Sequence, residues 1–91
     1  MRKNRNEMQV MFEFLSCLNN GETQTSSIMR KVNITYGKIT ELSKYLEERG
    51  MIKVTQAEDK VSLEISQKGR DFIDQYISFK KMMEKVYGLK I

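Results

Sequence analysis

Between Thr25 and Gly69 the spacing of apolar residues switches from a helical period to strict alternation and back, which leaves few folds open. Ile28, Met29 and Val32 share one side of a short helix over residues 25–32, with Thr25 or Ser26 as its N-cap and Asn33 as its C-cap. Thr35 caps a second helix over 36–49, and Ile34 before that cap faces Ile39 beyond it, the spacing of a hydrophobic staple. Ile39, Leu42 and Leu46 form its buried stripe. Gly50 stops the helix, and residues 51–56 alternate in the manner of a strand, with Ile52 and Val54 on one side. After a turn at Ala57, Glu58, Asp59 and Lys60, the residues Val61, Leu63 and Ile65 alternate with Ser62 and Glu64. A hairpin with one apolar face is not stable alone, so it must lie on the helices. Ser66 caps a further helix, entered through Gln67, Lys68 and Gly69.

The flanking helices carry more apolar surface than this unit can cover. The first, over residues 6–19, has Met8, Met11, Phe12, Leu15 and Leu18 on one stripe and Val10, Phe14 and Cys17 on a second, so it requires cover on two sides. Asn19, Asn20 and Gly21 end it. The last helix, over 67–87, is about 30 Å long. In it Phe72, Tyr76, Phe79, Met83 and Val86 alternate spacings of four and three, a heptad seam, beside a second stripe of Ile73 and Ile77. We read the second stripe as docking on the parent domain and the seam as pairing with another chain. No proline and no low-complexity linker separates residues 1–66 from 67–91, which read as parts of one domain.

Helix, turn, helix, hairpin and long helix define an α+β fold, mostly α: a winged helix-turn-helix with a two-stranded wing and a long C-terminal dimerisation helix. Three runs narrow this further: Ile28-Met29-Arg30-Lys31-Val32-Asn33-Ile34-Thr35-Tyr36 across the turn, Tyr45-Leu46-Glu47-Glu48-Arg49-Gly50-Met51-Ile52 from helix to strand, and Ile65-Ser66-Gln67-Lys68-Gly69-Arg70 into the last helix. In these runs the chain resembles a small archaeal family of winged-helix DNA-binding proteins with a C-terminal coiled-coil helix, taken to be transcriptional regulators or chromatin-type proteins. The resemblance covers nearly the whole chain. It implies a homodimer held by antiparallel pairing of the last helices, with a DNA-binding head at each end. Heptad spacing by itself does not choose between parallel and antiparallel.

Composition restricts the chemistry. A chain of 91 residues buries only about 60–65% of its unfolded surface, so a partner subunit would add needed stability. The single cysteine, Cys17, excludes an internal disulfide and sits in an apolar pattern as an inert thiol. With no histidine, neither a nucleophilic triad nor an ordinary zinc site can be assembled, and no catalytic residue, metal, cofactor or small-molecule ligand is indicated. No apolar run spans a bilayer, and the expected location is the cytoplasm, on the nucleoid. Of the net charge of +4, residues 1–5 carry +3 and residues 66–91 carry +3, which leaves the segment between them slightly acidic.

The outward face of the 36–49 helix is the candidate site for double-stranded DNA. Lys38 and Lys44 would reach phosphate or guanine, Thr40 a base edge or phosphate, and Glu41 a cytosine amino group, while Gly37 would let the helix start approach closely. Thr35 and Tyr36 open that helix, and two places are equally open to the Tyr36 phenol: on the sugar-phosphate backbone, where its hydroxyl could donate to a phosphate, or packed on the preceding helix. Arg30 and Lys31, Lys60 at the wing tip, and the arm of Arg2, Lys3 and Arg5 would touch backbone and so position without specifying. Two features oppose indiscriminate coating: Glu58 and Asp59 make the wing tip acidic, and glutamates share the helix face with Lys44. The expected function is that of a homodimeric DNA-binding regulator or nucleoid-associated protein. The alternative is a protein-interaction module on the same scaffold, with its DNA face lost.

Overall fold

The computed structural model describes residues 6–90, which form α1 (Glu7–Asn19), α2 (Thr25–Val32), α3 (Tyr36–Glu48), β1 (Ile52–Ala57), β2 (Lys60–Ile65) and α4 (Gln67–Tyr87). The two strands pair antiparallel from Ile52 opposite Ile65 to Ala57 opposite Lys60. The architecture is the winged helix-turn-helix read from the spacing.

Local chemistry explains most element ends. Asn6 and Gln9 cap α1 reciprocally: the Gln9 amide donates to Asn6 Oδ1 (2.8 Å) and the Asn6 amide donates to Gln9 Oε1 (3.0 Å). Asn33 takes the left-handed conformation (φ 62°, ψ 56°) that ends α2, and Thr35 Oγ1 accepts from the Lys38 amide (3.1 Å) at the start of α3. α3 closes on Gly50 at φ 74°, with the Met51 amide donating to the Leu46 carbonyl (2.9 Å) and the Gly50 amide to that of Glu47 (3.0 Å). Ser66 caps α4 by accepting from the Gly69 amide (3.2 Å), while its own hydroxyl donates to the Gly50 carbonyl (2.6 Å).

One cap differs from expectation. α2 begins after Gln24, and neither Thr25 nor Ser26 is its N-cap. Thr23 and Gln24 are drawn out along the hairpin: Gln24 bridges Ser62, and the Leu63 amide donates to the Thr23 carbonyl (3.2 Å). Pairing with β2 holds Gln24 extended, so Thr25 is already helical.

The core lies where the three short helices meet the inner face of the hairpin. Phe14, Leu15, Ile28, Ile39, Leu46 and Leu63 are each no more than 1% exposed, and no buried side-chain polar atom among the described residues lacks a partner. Burying each of these side chains stabilises by about 1.5–3 kcal/mol.

α4 departs from the expected division into docking and pairing stripes. Ile73 docks on the domain, but Ile77 of the same stripe is exposed. Conversely, the first two members of the seam are covered within the chain. The Tyr76 ring is stacked 4.4 Å from that of Phe12 on α1, and Phe72 is partly buried beside it, with ring centroids 6.1 Å apart. Helix length accounts for the change. α1 is about 20 Å long and α4 about 31 Å. Met8, in the first turn of α1, lies level with Phe79, so the rest of α4 continues past it. On that stretch Phe79, Met82, Val86 and Tyr87 are 41–63% exposed. No described helix is long and apolar enough to cross a membrane.

Candidate nucleic-acid interface

α3 is built as an amphipathic helix with two flanks. Its core stripe of Ile39, Leu42 and Leu46 leaves one flank toward the hairpin and the other toward α1. On the hairpin side an open groove of about 250 Å³ has Tyr36, Thr40, Ser43, Lys44 and Glu47 along the helix, Thr25 at its end and Val54 and Val61 on the strands. On the α1 side a groove of about 300 Å³ lies between Glu7 and Met11 of α1 and Lys38, Glu41, Leu42 and Tyr45 of α3.

The candidate residues divide between these flanks. Tyr36 is 65% exposed, and it shares the hairpin-side groove with Thr40 and Lys44. Gly37 stands between the flanks on open surface: a Cβ there would meet nothing within 4 Å. The Thr40 hydroxyl donates to the Tyr36 carbonyl (3.0 Å), which leaves its oxygen free to accept. Thr35 is held by its capping bond. Lys60 is exposed at the start of β2, next to the acidic turn.

Two of the lysines are already engaged. Lys38 Nζ lies 2.6 and 3.0 Å from the two carboxylate oxygens of Glu7 and 3.9 Å from Glu41. Lys31 Nζ lies 2.5 Å from Glu22. Each carboxylate raises the pKa of its lysine, and Lys31 in turn holds Glu22 below the usual carboxylate range. Arg30, Lys44 and Lys60 make no ion pair with another described residue. Arg2, Lys3 and Arg5 lie outside the described residues.

Ser43, Glu47, Glu7 and Glu22 were not singled out from the sequence. Ser43 and Glu47 recur with Tyr36 and Thr40 at helical spacing, so a reading of α3 centred one flank nearer the hairpin would have found them. Glu7 and Glu22 carried no such signal, being 31 and nine residues from their partners. Arg49 was also missed: its guanidinium lies 3.7 Å over the Tyr45 ring.

Of the residues expected from the seam to pair, Phe72 and Tyr76 border a shallow groove of about 220 Å³ with Met8, Gln75 and Phe79. Met83 is half-buried and Val86 is exposed. Burial pushes the Tyr76 phenol up in pKa, with Glu13 adding to the shift, and burial likewise raises the Cys17 thiol.

Comparison with solved structures places this geometry. The chain is similar to Sso10a-2, a DNA-binding protein from Sulfolobus solfataricus, with a TM-score of 0.77 and 23% identity over 92% of this chain and 87% of that one. It is similar to YusO of Bacillus subtilis (TM-score 0.76, 16% identity, 86% of this chain) and to BpsR of Bordetella bronchiseptica, whose DNA binding is regulated by 6-hydroxynicotinic acid (0.74, 15%, 85%). It spans 58% of each of those two chains. No curated protein matches by sequence. The winged helix-turn-helix family model matches residues 4–84, and the chain belongs to that family.

Proposed function

We propose that the chain binds double-stranded DNA as a homodimer, reading the major groove with α3, and acts as a transcriptional regulator or a nucleoid-associated protein in the cytoplasm. One observation carries this reading. The solvent face of α3 presents Tyr36, Thr40 and Lys44 exposed beside the hairpin, with Gly37 on open surface next to them. In a helix-turn-helix this face enters the groove, with the end of α2 and the wing on flanking backbone. Arg30 is exposed at the end of α2 to serve there. The likeness to Sso10a-2, a DNA-binding protein, supports the same reading.

Self-association is supported by α4. Its second half exposes Phe79, Met82, Val86 and Tyr87, an apolar surface of the kind that marks interfaces. Antiparallel pairing is what the family resemblance implies; charge does not choose the orientation, because Lys68 and Arg70 offset Asp71 and Asp74 in the first half of α4. A mobility-shift titration on duplex DNA tests the function. Retardation that weakens with salt is expected, and no retardation at low salt would leave the interaction module in its place.

A further inference from the structure

The helix-turn-helix carries its own counter-ions. Lys31 lies in the last turn of α2 and Lys38 in the first turn of α3, so the two cations flank the turn between these helices. Each is held from elsewhere in the chain: Lys31 by Glu22, on the connection between α1 and α2, and Lys38 by both oxygens of Glu7, at the start of α1. The partners are nine and 31 residues apart, so neither pair is a neighbour contact along one helix; the fold brings them together.

We propose that Glu7 and Glu22 are internal counter-ions that set the phosphate affinity of this surface, withholding Lys38 and Lys31 from any polyanion that does not displace them. This rests on the DNA-binding reading above. Sequence-independent affinity comes from lysines and arginines exchanging small counter-ions for phosphate. A lysine bound to a protein carboxylate releases no small ion when phosphate takes it, and it leaves a negative charge stranded beside the DNA. Contacts to base edges carry no such penalty. The two carboxylates therefore lower binding to all DNA alike, through the phosphate contacts, and leave discrimination between sequences to Lys44, Thr40 and Tyr36. The exposure of these pairs keeps the exchange possible: the Lys31 side chain is 57% exposed and that of Glu7 61%.

The test uses a random-sequence duplex and the Glu7→Gln, Glu22→Gln double variant of the full chain, which keeps side-chain size and removes two charges. Binding is measured across a salt series, with circular dichroism confirming the fold. The double variant should bind a few-fold tighter at low salt for each carboxylate removed. Its log-log salt slope should steepen by about 0.9 for each lysine released. Adding Lys31→Gln and Lys38→Gln should abolish both gains. An unchanged slope and affinity would overturn the proposal, and so would weaker binding, which would mean that the carboxylates hold the lysines ready for phosphate. If parent and variants alike fail to bind at low salt, the DNA-binding reading falls and takes this one with it.

Discussion

The backbone carbonyl of Met51 occupies the space beside Gly69 in which a side chain would begin, and it accepts the Ser66 amide at 3.0 Å from the same junction. The Ile65 side chain closes the other side, with Cγ1 2.7 Å from the position of a Cβ on Gly69. The first turn of α4 is thereby seated against the foot of the wing. Gly69→Ala should cost about 1–3 kcal/mol through overpacking against backbone that cannot rotate away. A lowered midpoint in thermal or urea unfolding checks this; an unchanged midpoint would show that the junction yields.

Gly37 is the opposite case, a helical glycine in open space at ordinary φ. Gly37→Ala should stabilise the fold by up to about 1 kcal/mol. If α3 approaches DNA at this point, the same change should weaken duplex binding. A variant that is more stable and binds as well as the parent would remove Gly37 from the interface.

Lys44 has no carboxylate partner among the described residues, unlike Lys31 and Lys38. Lys44→Ala should therefore weaken DNA binding more than Lys38→Ala does in the otherwise unchanged chain. Contact with a base edge would cost about 1–3 kcal/mol at one sequence position, whereas contact with phosphate would weaken all sequences alike and reduce the salt slope by about 1. Equal effects of the two substitutions would contradict the pairing seen here.

Phe79 lies where α4 passes the start of α1, 41% exposed. A carboxylate there would be buried without a partner in a dimer yet tolerated on a monomer. Phe79→Glu should halve the mass found by sedimentation and leave the circular dichroism unchanged. An unaltered mass would exclude the α4 seam as the pairing surface.

Tyr76 sets an alkaline limit. Burial raises its pKa above the usual value of about 10, so the neutral phenol stabilises the fold below that pH. As pH rises above about 10 the unfolded chain loses this proton first, and stability should fall until the folded phenol ionises as well. Tyr76→Phe should flatten that part of the stability profile, measured by unfolding at a series of pH values between neutral and strongly alkaline. A profile identical to the parent's would show that the ring's environment does not resist ionisation.

Features set by near neighbours were legible in the sequence. Asn33, Thr35, Gly50 and Ser66 act within one turn of the chain, and alternation in the hairpin follows from its single buried face. The order of elements, and with it the winged helix-turn-helix, follows from these and from the apolar periods. The start of α2 was not legible, because Gln24 is held extended by Ser62, far along the chain.

Which charges are available, and which apolar residues are already covered, only the tertiary structure decided. Composition counts Lys31, Lys38 and Lys44 as equal cations, but Glu22 and Glu7 are folded against the first two. The heptad seam counts Tyr76 and Val86 as equal members, but Phe12 covers one and α1 ends before the other. The physical reason is the same in both cases. Periodicity and capping are short-range properties of the backbone, whereas ion pairing and burial depend on distances between segments that come together only when the chain folds.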